Sequence, residues 1–88
     1  MVTREATIVN PLGLHARAAA KFVRLASQFS GTVRVAKGAR ELDGKSILGL
    51  LLLGAARGST IVIKVDGPDA EAAANALAAL VADGFGEL

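Results

Sequence analysis

The residues with the clearest chemical potential are His15 and Arg17, in the segment GLHAR at residues 13–17. His15 is the only histidine in the chain. A neutral imidazole keeps a lone pair on one ring nitrogen near neutral pH, so it can act as a nucleophile. A guanidinium presents a planar fork of donors that fits the oxygens of a phosphate group. The pair therefore suggests phosphoryl chemistry.

The spacing of apolar residues predicts that His15 stands where a glycine-containing loop enters a helix. From residue 16 to 28, small and apolar side chains recur at helical spacing. The buried face is expected to consist of Ala16, Ala19, Phe22, Val23 and Ala26, and the opposite, largely basic face of Arg17, Lys21, Arg24 and Gln28. The first turn of a helix has amide N–H groups without internal partners, here including those of Ala16 and Ala18.

A negative group at such a helix start is stabilised by about 0.3–1 kcal/mol, because the aligned peptide dipoles leave positive charge there. A phosphoryl group on His15 would be stabilised by this dipole and also by the positive charge of Arg17. We therefore interpret His15 as a phosphoryl acceptor that forms a transient phosphohistidine. The simpler alternative is a solvent-exposed or helix-capping histidine without a chemical role.

The rest of the chain predicts the elements that hold this helix. Alternating and β-branched residues indicate strands over residues 2–9, 32–36 and 60–65, with a short strand ending at Leu42. A last helix is expected after the turn at residues 66–69, with Pro68 in its first turn. With a short helix at residues 46–53, the order is β-α-β-β-α-β-α. The expected fold is a single α+β domain over residues 1–88, an open-faced sandwich with a four-stranded antiparallel sheet and three helices on one face.

The segment KSILGLLLL at residues 45–53 is apolar on nearly every side. A two-turn helix cannot bury all of these side chains, and an exposed apolar patch usually marks a partner surface. We expect Leu50 and Leu53 to lie in the core. Ser46 is first of all a candidate N-cap for this helix. The expected partner surface consists of Ile47, Leu48 and Leu51, continued beside His15 by Ala20 and Arg24.

Composition excludes several function classes. The chain has no cysteine, which excludes disulfides, thiolate zinc sites and a cysteine nucleophile, and one histidine excludes a multi-histidine metal cluster. The net charge of +2 requires neither a nucleic-acid nor a membrane partner. The longest apolar run, residues 47–56, falls short of the ~20 residues that span a bilayer. The polar residues 1–5 do not resemble a signal peptide.

Particular residues argue against two further functional interpretations. The triplet GKS at residues 44–46 resembles the end of a nucleotide-binding P-loop, but that pattern requires glycine where Ala39 stands. A single-stranded nucleic-acid binder needs aromatic side chains among its basic residues. Phe22 and Phe29 occupy positions typical of a helix core, and the chain has no tyrosine or tryptophan.

Three segments, NPLGLHARAA at 10–19, GKSILGL at 44–50 and GPDA at 67–70, resemble the histidine-containing phosphocarrier (HPr) family of the bacterial phosphoenolpyruvate-dependent phosphotransferase system. The resemblance covers essentially the whole chain. It implies a cytoplasmic, monomeric carrier without a cofactor, which takes a phosphoryl group from enzyme I onto Nδ1 of His15. The carrier then passes the group to EIIA domains for sugar uptake.

The resemblance also raises two questions about particular residues. In many relatives a kinase, HPr kinase/phosphorylase, phosphorylates the serine that matches Ser46, which would weaken docking of enzyme I. Ala18 stands where the family usually has proline, so we expect retained function with slightly looser geometry. The alternative function is regulatory, either in a nitrogen-related phosphorelay or as a corepressor partner through phosphorylated Ser46.

Overall fold

The computed structural model describes residues 1–88 and confirms the expected order of elements. The elements are β1 (Val2–Thr7), α1 (Ala16–Ala26), β2 (Thr32–Lys37), β3 (Arg40–Asp43), α2 (Ile47–Leu53), β4 (Thr60–Asp66) and α3 (Ala70–Ala82). A short 3₁₀ turn, Gly84–Gly86, follows α3. None of the helices is long and apolar enough to cross a membrane.

The four strands form one antiparallel sheet in the order β1-β4-β2-β3. Side chains alternate between the two faces of a strand, so one face of the central strand β4 places Ile61, Ile63 and Val65 in the core. The helices cover that face. The result is the predicted open-faced sandwich, because a sheet with one apolar face must bury it against another layer.

The buried face of α3 consists of Ala70, Ala73, Ala74, Leu77 and Val81, at helical spacing. Helix α1, by contrast, is rotated relative to its predicted buried face. Its buried residues are Ala18, Ala19, Phe22 and Ala26, while Ala16 is exposed and Val23 half-buried. The first two residues of α1, Ala16 and Arg17, are exposed and border an open pocket at the surface. The helix packs through the four fully buried residues instead.

Three predicted boundaries are wrong by a few residues. Strand β1 ends at Thr7 rather than at residue 9, because its partner β4 begins at Thr60. Helix α1 ends at Ala26, after which the Gln28 and Phe29 amides bond to carbonyls three residues back and tighten the chain. Pro68 is not in the first turn of α3, since Asp69 is the residue that precedes this helix.

Helix α2 is capped at both ends, at its start by Ser46 as expected. The Ser46 Oγ accepts a hydrogen bond from the Gly49 amide at 3.0 Å. Gly54 ends the helix in the left-handed conformation, with φ of 67°, which glycine adopts without strain. These caps orient α2 so that Leu50 and Leu53 enter the core, as predicted. Ile47, Leu48, Leu51 and also Leu52 remain exposed.

Candidate functional site

His15 is the residue that precedes the first turn of α1. Its backbone is extended, with φ of −77° and ψ of 179°, and its carbonyl accepts the first helical hydrogen bond, from the Ala19 amide at 2.8 Å. The His15 side chain does not cap the helix. The amides of Ala16, Arg17 and Ala18 have no backbone acceptor, which leaves three donors at the start of α1.

The loop before His15 is docked against the segment that follows α2. Gly13 has φ of +66°, and a Cβ there would lie 2.7 Å from the Ala55 carbonyl oxygen, so only glycine fits. The next amide, that of Leu14, donates to the same Ala55 oxygen at 2.9 Å. The Leu14 side chain is buried in the core. The backbone just before His15 is therefore fixed by the close approach at Gly13 and by the hydrogen bond and buried side chain of Leu14.

The two nitrogens of the His15 ring have different surroundings. Nε2 lies 2.5 Å from Oε2 of Glu87, whereas Nδ1 makes no hydrogen bond within the chain. The ring is 25% exposed, so it is accessible without being fully surrounded by solvent. Asn10 donates from Nδ2 to the other Glu87 oxygen at 3.0 Å and to the Gly13 carbonyl at 2.7 Å. The free nitrogen is thus Nδ1.

The pKa of the Glu87 carboxyl is lowered from its usual value. The main cause is the hydrogen bond from Asn10, which favours the charged form against the opposing effect of burial. The hydrogen bond from His15 and the charges of His15 and Lys21 act in the same direction as Asn10. Glu87 is therefore ionised at neutral pH and can only accept hydrogen bonds, so Nε2 of His15 carries the hydrogen between them.

A shallow pocket opens in front of the ring. It is lined by Pro11, Leu12, His15, Ala16, Arg17, Lys21, Gly86 and Glu87. Arg17 is exposed, while the Nζ of Lys21 donates to the Phe85 carbonyl at 2.6 Å. The pocket thus combines a free imidazole nitrogen, a helix start and an exposed guanidinium. This set can accept and stabilise an anionic group.

The chain matches a family model described as PTS HPr component phosphorylation site over residues 2–83. The chain belongs to the HPr family. HPr proteins are phosphocarriers of the phosphotransferase system and are not catalysts, so this general role applies to the chain.

Individual HPr relatives are similar in sequence to this chain along nearly its full length. The phosphocarrier protein HPr of Cupriavidus necator is 48% identical over 87 residues, which cover 99% of this chain and 98% of the relative. The phosphocarrier protein NPr of Shewanella violacea is 45% identical over 84 residues, covering 96% and 92%. A crystal structure of HPr-C-His from Thermoanaerobacter tengcongensis has a TM-score of 0.96 and 40% identity, and covers 100% of this chain and 99% of that one.

The structure brings some of the predicted residues of this HPr chain together and separates others. His15, Arg17 and Ala16 line one pocket, whereas Ala18 is buried and outside its lining, although its amide has no backbone acceptor. Ser46 lies outside that pocket, at the start of α2. The proposed partner surface is exposed at Arg24, Ile47, Leu48 and Leu51, and half-buried at Ala20.

Sequence reasoning missed three polar residues around the HPr histidine. Glu87 is 72 residues away from His15 along the chain, so no local spacing links the two residues. Asn10 lies in the loop before His15, but its side chain is fully buried. Lys21 was placed on a solvated face but bonds to the Phe85 carbonyl. No local pattern marks these contacts, because each depends on where residues 84–88 return to α1.

Proposed function

We propose that this chain carries phosphoryl groups on His15, taking them from phosphorylated enzyme I and donating them to EIIA domains for sugar uptake. The observation that supports this most directly is the unpartnered Nδ1 beside the first turn of α1. The carrier would be a cytoplasmic monomer. It would need no cofactor, because the imidazole itself forms the covalent bond to phosphorus. Each partner would dock in turn on the same face.

In the proposed step, the Nδ1 lone pair attacks the phosphorus of a phosphohistidine on enzyme I. The bond between phosphorus and the donor nitrogen breaks, and its electron pair stays on that nitrogen. His15 loses no proton, because Nε2 keeps its hydrogen and the ring becomes a cation. The free amides of Ala16, Arg17 and Ala18, with the Arg17 guanidinium, would stabilise the phosphoryl oxygens. In donation to EIIA, a histidine of that domain attacks the phosphorus, and the electron pair of the broken bond returns to Nδ1 of His15.

The proposed docking surface has an apolar centre. It consists of Ile47, Leu48 and Leu51 on α2 and Ala20 and Arg24 on α1. Two further apolar residues are exposed, Leu12 in the lining of the pocket and Leu52 on α2. A basic edge around an apolar centre suits a partner with acidic residues around an apolar face. We propose that enzyme I and EIIA both use it.

Ser46 supports a second, regulatory proposal, in which a kinase such as HPr kinase/phosphorylase modifies it. A phosphate at Ser46 would carry roughly two negative charges at the edge of the docking surface. Replacement by aspartate, S46D, is expected to slow phosphoryl transfer from enzyme I about tenfold, equivalent to ~1.4 kcal/mol of lost docking energy. The initial rate of transfer at limiting carrier concentration measures this.

Asparagine provides the matched control at this position. Asparagine and aspartate are both good N-caps, so S46N and S46D should unfold at similar temperatures. Only S46D adds charge, and only S46D should slow the transfer. Equal rates for S46D and wild type would contradict the regulatory proposal and leave Ser46 as a cap.

The alternative function in a nitrogen-related phosphorelay, a second branch beside the sugar system, is supported by the similarity to the protein named NPr. Purified enzyme I of the sugar system and its nitrogen-related counterpart, each with phosphoenolpyruvate, would distinguish the branches. We expect faster labelling by the sugar-type enzyme I, with a label that is stable in base and lost in acid. Faster labelling by the nitrogen-related enzyme would assign the chain to the other branch. An acid-stable label would point to Ser46 instead of His15.

A further inference from the structure

We propose that Glu87 is a positioning residue for His15, whose carboxylate holds the ring with its hydrogen on Nε2 and so keeps the lone pair of Nδ1 available. This proposal rests on the proposed role of His15 as phosphoryl acceptor. Glu87 would not touch the phosphoryl group. It would act through the opposite nitrogen of the ring, at 2.5 Å.

The carboxylate is itself held by the loop that leads into His15. Its second oxygen accepts from Nδ2 of Asn10 at 3.0 Å, and the same Asn10 nitrogen donates to the Gly13 carbonyl at 2.7 Å. Asn10 is fully buried, so its amide cannot turn toward water. The Glu87 side chain is itself only 17% exposed. One buried amide therefore fixes the carboxylate relative to the ring.

The residues that carry Glu87 to this place adopt an uncommon backbone. Gly84, Phe85 and Gly86 all have positive φ, of 64°, 57° and 75°. A positive φ is unfavourable in free energy for a bulky residue such as phenylalanine, so the surrounding structure must impose it. The Phe85 ring is 1% exposed, and Lys21 on α1 donates to the Phe85 carbonyl. This anchoring returns the chain across the start of α1 and delivers Glu87 to the ring.

The contact between Glu87 and the His15 ring has two effects on phosphoryl transfer. An ionised carboxylate can only accept, so it selects the ring form with hydrogen on Nε2 and fixes the ring orientation. When Nδ1 bonds to phosphorus, the ring gains positive charge and its Nε2–H still faces the carboxylate. Glu87 then stabilises the charged product, as an acidic residue behind a reacting histidine does in other sites.

Two variants and a matched control test this proposal in the full chain. Glu87→Ala removes both the acceptor and the charge, whereas Glu87→Gln keeps an acceptor and removes the charge. Glu71→Ala removes one exposed carboxylate from α3 that pairs with Arg4 and does not line the pocket. For each protein, ¹⁵N NMR of the His15 ring, at a pH where it is neutral, reports which nitrogen carries the hydrogen. Phosphoramidate, a small phosphoryl donor, and enzyme I with phosphoenolpyruvate report reactivity with and without a docking partner.

We expect wild type and Glu71→Ala to hold the hydrogen on Nε2 almost entirely. Glu87→Ala should populate the Nδ1–H form and react about 10- to 100-fold more slowly with both donors, the effect of losing one charge-assisted hydrogen bond. Glu87→Gln should fall between them. Unchanged spectra and rates in Glu87→Ala would overturn the positioning role. Failure of wild type to accept from either donor would instead contradict the function of His15, while the spectra would still test Glu87.

Discussion

Replacing His15 with alanine is expected to abolish phosphoryl acceptance, lowering the rate of labelling by enzyme I more than about a thousandfold. The chain has no other histidine, so no second imidazole can form the same acid-labile bond to phosphorus. The remaining nucleophile discussed above, the Ser46 hydroxyl, already accepts a hydrogen bond from Gly49 and lies outside the pocket. Labelling with radioactive phosphoenolpyruvate measures the loss.

The loss should occur without unfolding. The His15 side chain is partly exposed and does not cap α1, so its removal leaves the core and the helix start in place. Circular dichroism should show an unchanged spectrum and a cooperative thermal transition. An acid-labile label persisting in folded His15→Ala would refute the assignment of His15 as acceptor.

Replacing Phe85 with alanine is expected to cause a large loss of stability. Its ring is fully buried, and removal of such a ring costs about 3–5 kcal/mol. A chain of 88 residues has a total stability of roughly 4–13 kcal/mol, so this is a large share of it. The melting temperature should fall by about 12 °C or more. Thermal and urea unfolding both measure the change.

Phe29 supplies the matched control for Phe85. It is also a phenylalanine, but it is only partly buried, beyond the end of α1. Phe29→Ala should therefore lose less stability and leave the ¹⁵N spectrum of His15 unchanged. Phe85→Ala, below its melting temperature, should alter that spectrum, because Phe85 anchors the chain that carries Glu87. An unchanged His15 spectrum in folded Phe85→Ala would show that Phe85 does not anchor this segment.

The strands and helices could be predicted because their burial follows from local periodicity. In α3, the five buried residues fall at the helical spacing visible in the sequence. In α2, Ser46 and Gly54 act as the caps that their residue types favour. The boundaries were less predictable, since the end of β1 depends on its partner strand β4. The orientation of α1 was likewise set by packing, which buried Ala18 and exposed Ala16.

The candidate site was predictable only in part for the same reason. The signal for His15 and Arg17 is local, since both follow a glycine turn at the start of a helix. The contact between His15 and Glu87 joins residues far apart in the sequence and depends on three consecutive residues with positive φ. The two glycines permit such a turn, but nothing local indicates that the phenylalanine between them adopts it as well.

The most direct measurement is the position of the phosphorus atom in the phosphorylated wild-type chain. Protein with ¹⁵N-labelled histidine, phosphorylated by enzyme I and studied by ³¹P and ¹⁵N NMR, would show which ring nitrogen is bonded to phosphorus. We predict a single phosphorylated species with phosphorus on Nδ1 and hydrogen on Nε2 of His15. Phosphorus on Nε2, or on an oxygen of the chain, would contradict the account.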